Sequence, residues 1–573
     1  MVLTTLRGDD ELTKRVMQVD LLIGERRLLD GATLADSGIS PDCTVQVVFT
    51  QRSVTCLRST EADYDLQNPN KAVVLHIPDG TTGIPSQAFR HCTAIAKVTF
   101  PDTLESVGAR AFFGCSSVMS VALPNSVGEM GRDAFNGCSS LRSLVIPDSV
   151  KAIRESAFIG CSLLTVLTIP KSVRTIGDSA FSGCASLTSL TIPDSVEVIG
   201  ARAFSGCSSL KSLIIPDSVV QIWVKAFSNC RSLESLSIPG SITQIGQEAF
   251  SGCCALASLA IPDSVEWIGR AAFSGCSSLT SLAISDSVTV IGEKAFSRCS
   301  LMKALTIPDS VTDIGCGAFN GCSSLRSLAI PNSVQVIGES AFMGCGLLTV
   351  LTIPKSVRTI GDSAFSGCAS LTSLTIPDSV EVIGARAFSG CSSLMNVSIS
   401  DSVNEIGASA FSGCSLLTKL TIPHSVGEIG QGAFSGCSSL TSLAIPNSVT
   451  MIGSKAFCGC SSLMNLSIPQ SVEVIGSRAF YGCSSLTNLT LPDSATEIGF
   501  EAFGAAGGVG DNGRVSSLSL PPRHLLLDSY VESQGIGSLR LRRTRRCAMG
   551  SCSQHAAAVA WAWRTAMACW QWP

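Results

Sequence analysis

Apolar and polar positions along this chain repeat with a period of 23 residues. Phenylalanine marks the register, falling at Phe89, Phe112, Phe135 and onward through Phe480 to Phe503 without a slip. One unit, at 187–209, reads LTSLTIPDSVEVIGARAFSGCSS. Leu187, Leu190 and Ile192 have the L-x-x-L-x-I spacing of a short strand, with Leu190 and Ile192 on one face. Pro193 has no N–H to offer a ladder and ends that strand. The proline recurs from Pro78 to Pro492 except at Ser285 and Ser400. Asp194 and Ser195 then turn the chain, since short polar side chains bond nearby backbone. Val196 and Ile199 point inward from a second extended stretch. Gly200 is expected to turn the chain at positive φ. Ala203 and Phe204 are expected to fill the core from a helical turn, and Gly206 and Cys207 close the coil.

A fixed period of this length predicts a solenoid in which each unit is one coil stacked on the last. The upper and lower edges of a single coil are bare, so only stacking buries its apolar face. Burying each phenylalanine contributes on the order of 1.5–3 kcal/mol. The expected architecture is a leucine-rich-repeat-type solenoid of about 19 coils over 71–503. A parallel β-sheet forms one side, with short strands and helical turns on the other. At the strand-to-strand spacing it would be roughly 90 Å long.

The pattern L-x-x-L-x-I-P-x-S-V-x-x-I-G-x-x-A-F-x-G-C-S-S resembles the BspA-like class of leucine-rich repeats across about three quarters of the chain. The resemblance implies a parallel-sheet solenoid that binds macromolecules. Several bacterial members of that class are secreted adhesins, and protists carry large expansions of it.

Hydrophobic residues make up 45% of the 573, and only 15% are charged, which suits a chain that is mostly stacked core. Of the 26 cysteines, eighteen lie three residues after a repeat phenylalanine, from Cys92 to Cys483. Neighbouring copies on a ladder sit about 5 Å apart, close enough for a disulfide. In-register Cβ atoms point the same way, however, so the rung reads as buried reduced thiols acting as small hydrophobes. No metal site is expected there, because each coil supplies one ligand from one direction. Cys253–Cys254 and Cys458 with Cys460 are local irregularities.

On the main strand the outward positions are small and hydroxyl-rich, with serine dominating the Ser189 position. Departures from the consensus are therefore the candidate contacts for a partner protein. Trp223 replaces the usual glycine, and Trp267 precedes Ile268 at a solvent-leaning position. Arg142, Lys211, Glu234, Lys303, Arg326 and Lys419 fall on the strand face and would set partner choice. His424 sits alone at a turn. Asn396, Asn465 and Asn488 begin N-x-S/T sequons, which matter only in a secreted protein. Residues 163–210 recur unchanged at 347–394, eight repeats later, so a block of coils has been duplicated. A freely varying coil number favours reach or avidity over one tailored pocket.

The ends differ from the repeats. Residues 20–49 resemble the second half of a ubiquitin-like domain, through the apolar run Leu21 to Ile23, the turn Leu28-Leu29-Asp30-Gly31 and the alternating run Thr44 to Phe49. The resemblance implies a partial β-grasp over 1–50 and places its recognition patch on Leu22, Gln46 and Val48, facing a ubiquitin-pathway receptor. Residues 51–70 read as a linker. Residues 504–573 carry eight arginines against three carboxylates, so this tail is basic and the rest of the chain acidic. It opens with a Gly/Ala-rich stretch at 504–513 and holds the run LRLRRTRR at 539–546, and it reads as a low-complexity, disordered segment. A nucleic-acid partner is expected only through that run.

The leading functional expectation is a non-catalytic protein-interaction scaffold, with a cell-surface or secreted adhesin as the alternative. The five histidines fall in no triad or zinc motif, and no phosphate loop is present, so neither catalysis nor a cofactor is expected. The N-terminal MVLTTLRGDDELTKR lacks an apolar signal core and no window has 18 uninterrupted apolar residues. Cytoplasm or nucleus is the expected compartment.

Overall fold

The computed structural model describes residues 73–505 continuously, together with the backbone of five strands outside that span: Val2–Thr4, Val19–Ile23, Arg26–Arg27, Thr44–Phe49 and Ser517–Ser519. Parallel coils stack in register with the 23-residue period. Where main strands pair they do so residue for residue, as Ser143–Val145 does with Ser120, Val121 and Ala122, and this ladder runs in segments, broken after Val145, Thr191, Ser237, Ala283 and Thr352. A second ladder runs beside it, built from two-residue strands such as Val198–Ile199. The Pro193–Val196 turn joins the two strands and is closed by the Val196 N–H donating to the Pro193 carbonyl at 3.0 Å. Where serine replaces this proline the turn is kept, and the new hydroxyls of Ser285 and Ser400 donate to Asp263 and Asp378 of the preceding coils.

The expected helical turns do not form: among the described residues there is no helix. The segment around Ala203 and Phe204 is short and alanine-containing, which suits a helix, but its backbone cannot continue one. Arg202 stands at φ 56° and Gly206 at φ 75°, both left-handed. Its N–H groups instead bond the next coil. Arg202 N–H donates to Val224 O at 2.9 Å, Phe204 N–H to Ala226 O at 2.8 Å and Gly206 N–H to Ser228 O at 2.7 Å. Backbone hydrogen bonds therefore tie each coil to its neighbours on this side as well as along the two ladders.

Gly200 corrects the sequence expectation in a second way. It is not among the glycines at positive φ. It is there for room: a Cβ on Gly200 would lie 2.6 Å from Asp178 N and 2.7 Å from Gly177 C, both in the preceding coil. Only Arg154 and Trp223 carry side chains at this position inside the stack, and the second ladder is interrupted at both. Ala152–Ile153 pairs forward with Thr175–Ile176 but not back with Glu129–Met130. Ile222 keeps only isolated bridges to Ile199 and Ile245.

The core is the same set of positions in every coil. Nineteen phenylalanines from Phe89 to Phe503 stack face to face, with ring centroids 5.1–5.5 Å apart and planes within 18° of parallel. Each parallel pair contributes about 0.5–1.5 kcal/mol beyond area burial. Valine, isoleucine, alanine, leucine and cysteine of each coil close round this column, and nearly all are inaccessible to solvent. The rung cysteines are free thiols. From Cys115 onward each donates its S–H to the phenylalanine carbonyl of the preceding coil, as Cys207 Sγ does to Phe181 O at 3.5 Å. Burial pushes the thiols far from their ordinary value: Cys184, Cys230 and Cys276 rise to about 12. Cys207 and Cys253 rise further, because neighbouring thiols on the ladder add to the burial.

The N-terminal strands do not show the separate β-grasp implied by the ubiquitin-like resemblance. Val19–Ile23 pairs antiparallel with Val2–Thr4 and Thr44–Phe49, but the free edge of Thr44–Phe49 pairs in parallel with Val73–His76, the first main strand. The segment thus joins the main sheet of the solenoid. Side chains of this segment, including Leu22, Gln46 and Val48, and the expected linker at 51–70 lie outside the described residues, as does the tail beyond 505 apart from the strand Ser517–Ser519.

Three outcomes test this packing. Gly476→Ala, whose Cβ would run into the Ser454 backbone nitrogen, is expected to cost about 1–3 kcal/mol in denaturant unfolding, whereas Trp223→Gly is expected to stabilise. Phe296→Ala, at the middle of the aromatic column, is expected to cost about 3–5 kcal/mol by the same measurement. The thiol ladder makes the fold sensitive to alkali. The folded values lie above the ordinary 9.0, so the stabilisation is complete below pH 9 and is lost as pH rises toward the folded values. Above pH 9 the unfolded chain releases thiol protons that the folded chain keeps, at about 1.4 kcal/mol per thiol per pH unit. The urea midpoint is therefore expected to fall steeply between pH 9 and 11, and to stay level over that range if the rung is changed to alanine.

Candidate binding surfaces

Pleating decides which residues of the main strand reach solvent. Leu190 and Ile192 face the core, so Thr188, Ser189 and Thr191, with their copies in each coil, form three outward columns. Threonines of the first column are fixed to the sheet. Thr188 Oγ1 donates to Thr165 O at 3.1 Å, and Thr280, Thr349 and Thr441 make the same bond to the coil before.

Arg142, Lys211, Glu234, Lys303 and Arg326 all fall in this first column and are exposed, as the sequence predicted. Lys419 is exposed one residue further along, in the Ser189 column. Among the described residues none of the six is in an ion pair. Lys211 and Glu234 sit on adjoining coils, linked by the Glu234 N–H donating to Lys211 O at 2.8 Å. Lys303 and Arg326 are likewise adjacent, through the Arg326 N–H and Lys303 O at 3.3 Å. The face is also more apolar than its serines suggest. Met119, Val145, Val166 and Val350 are exposed there, and Ile214 is 74% exposed. These apolar departures from a hydroxyl column are the signal that a search for charges and aromatics passes over.

Trp223 and Trp267 are not on this face. Both belong to the second ladder, two coils apart, and are 43% and 39% exposed. The structure therefore separates the candidate residues into a main-strand face with the charges and a second-ladder edge with the tryptophans.

A groove of about 430 Å³ opens along the turns of the duplicated block, lined by Lys355, Arg358, Asp378 and Glu381 among others. Its charges are partly internal: Arg358 bonds Glu381 at 3.2 Å, as Arg174 bonds Glu197 at 2.7 Å in the first copy. His424 donates its backbone N–H to Asp401 Oδ1 at 2.9 Å, a turn contact with no ligand geometry. Asn396, Asn465 and Asn488 are exposed in the Ser189 column, and Asn488 Nδ2 donates to Asn465 Oδ1 at 2.6 Å. Among the described residues, no group of three histidine, cysteine or carboxylate side chains is arranged to hold a metal ion. Nor is any helix there long and apolar enough to cross a membrane.

Comparison with known proteins gives this geometry its family. None of the curated proteins matches the chain. Among solved structures, a leucine-rich repeat protein from Bacteroides ovatus is 31% identical, over 69% of this chain and 88% of its own, with a TM-score of 0.47. A leucine rich cell surface protein from Faecalibacterium prausnitzii is 24% identical, over 72% of this chain and 89% of its own, with a TM-score of 0.29. The model of the BspA type leucine rich repeat region matches residues 82–211, 198–326, 291–417 and 404–507. With the 23-residue register running through all four matched stretches, the chain belongs to the BspA type leucine-rich repeat family.

Proposed function

We propose that this protein is a non-catalytic scaffold that binds a partner protein through the main-strand face of its solenoid. The observation that carries the reading is the contrast between core and face. Core positions hold the same residue types coil after coil. The outward columns between Arg142 and Glu234 vary, and combine unpaired charges at Arg142, Lys211 and Glu234 with exposed Val145, Val166 and Ile214. Apolar anchors bordered by charge are what a protein interface needs: burial supplies affinity and the rim supplies choice. Lys303, Arg326 and Lys419 extend the same face toward the C-terminal coils. Serines, the usual nucleophile candidates, are periodic here and bond neighbouring carbonyls, as Ser195 Oγ does to Val173 O at 2.8 Å.

The proposal includes a reducing compartment, cytoplasm or nucleus, which suits a ladder of eighteen buried free thiols. A narrower part of it concerns residues 20–49: their ubiquitin-like resemblance would direct Leu22, Gln46 and Val48 to a ubiquitin-pathway receptor. That part is supported by the resemblance alone, and a receptor that binds the intact chain and its Leu22→Ala variant equally would remove it.

The test of the main-face reading is proximity crosslinking in cells with the intact chain and a Lys211→Glu, Ile214→Asp, Glu234→Lys variant of unchanged thermal midpoint. Partners crosslinked to the parent chain are expected to fall at least tenfold in the variant. A partner set that survives the triple change unaltered would refute this face as the interface.

A further inference from the structure

We infer that the second-ladder edge around Trp223 and Trp267 is a separate site for an extended protein segment rich in arginine or lysine. In six successive coils the five residues that start at the turn aspartate read DSVEV, DSVVQ, GSITQ, DSVEW, DSVTV and DSVTD, between Asp194 and Asp313. These windows hold eight carboxylates, Asp217, Asp263, Glu266 and Asp286 among them, and no lysine or arginine. All eight are exposed. Of these, Glu197 alone is in an ion pair among the described residues, with Arg174 of the coil before. Of the cations on the other side of the tryptophans, Lys225 is engaged by Glu248 at 3.2 Å and Arg270 by Glu293 at 3.4 Å, while Arg202 is exposed in the coil before Trp223. Lys151, Lys171 and Arg174 precede this stretch on the turn edge and Lys355 and Arg358 follow it, and since the windows from Asp378 to Glu497 hold as many carboxylates and likewise no lysine or arginine, what sets this stretch apart is its two tryptophans.

The two indoles lie within this stretch. An indole face is the best side-chain partner for a guanidinium or ammonium group, and a carboxylate beside it holds the same cation by charge-assisted hydrogen bonds. Glu266 directly precedes Trp267, and both are exposed. Like charges repeated at the coil spacing repel one another, and a cationic ligand relieves that repulsion along the whole edge. The six coils span ~25 Å at the strand spacing, which an extended segment of about seven or eight residues covers. A polyanion is repelled by the same edge. This site is apart from the main-strand face, so its test is independent of the preceding reading.

The experiment is fluorescence anisotropy of the full chain with a labelled RSRSRSRS peptide, with ESESESES as the opposite-charge probe. The arginine peptide is expected to bind, more weakly as salt rises, and the glutamate peptide not to bind. Trp267→Thr, which leaves the charge unchanged, and separately the triple change Asp263→Asn, Glu266→Gln, Asp286→Asn are each expected to weaken binding at least tenfold. Glu473→Gln with Asp493→Asn, on the same two columns outside the stretch, is expected to leave it unchanged. Binding that ignores Trp267→Thr, or that falls equally with the distant pair, would be diffuse charge attraction and would overturn the site. An affinity that rises when Arg540, Arg542 and Arg543 are changed to serine would assign the edge to this chain's own basic run and overturn the assignment to a separate partner.

Discussion

Coils approach one another as closely as their backbones allow, and that approach organises the rest of the molecule. Hydrogen bonds along two ladders and through the phenylalanine turn draw each coil onto the next. The limit is reached at the glycine that opens most Gly-x-x-Ala-Phe segments, where a Cβ would enter the preceding backbone. Aromatic rings 5.1–5.5 Å apart are a consequence of this spacing. So are thiols that sit one above another within reach of a carbonyl, and outward columns in which one coil's residue stands over the same residue of the next. A substitution in one coil is therefore felt mainly by its two neighbours, as nearest-neighbour coupling in a solenoid requires.

Much of this was legible in the sequence. The 23-residue register named the buried positions correctly: phenylalanine, cysteine, leucine and isoleucine on that register are core. The turn was misread because composition and backbone geometry part company there. Alanine next to phenylalanine favours a helix, but nothing in the letters Ala-Arg-Ala-Phe announces that Arg202 adopts a left-handed φ of 56°. The glycine was assigned to the wrong cause for a related reason. Glycine at a bend suggests positive φ, whereas crowding by a coil 23 residues away is a non-local fact. Trp223 stands out in the sequence at this position and Arg154 does not, because an arginine in a polar stretch looks solvated. In the structure both interrupt the ladder, the coil of Arg154 by losing its pairing with the coil before and the coil of Trp223 by keeping only isolated bridges.

Candidate contacts were visible as departures from the consensus, but their grouping was not. Arg142, Lys211, Glu234, Lys303 and Arg326 are separated by multiples of the repeat and so share one column, a relation the sequence contains once the period is known. Trp223 and Trp267 belong to a different side of the coil. Within a single unit only a few residues separate Ser189 from Val198, yet the intervening turn carries the chain from one ladder to the other. Short sequence distance inside a coil means different surfaces, and long distance at the right multiple means the same surface.

The interruptions at Arg154 and Trp223 also partition the molecule in time. Three coils, those of Phe158, Phe181 and Phe204, lie between the two breaks in the second ladder. Their second strands, Ala152–Ile153, Thr175–Ile176 and Val198–Ile199, form a closed set of three, next to a run of twelve such strands that begins at Gln244–Ile245. Opening of a stacked array begins where neighbour coupling is weakest. Amide protons on either side of Trp223 are therefore expected to fall in different cooperative units, so that the solenoid exchanges with solvent in unequal blocks.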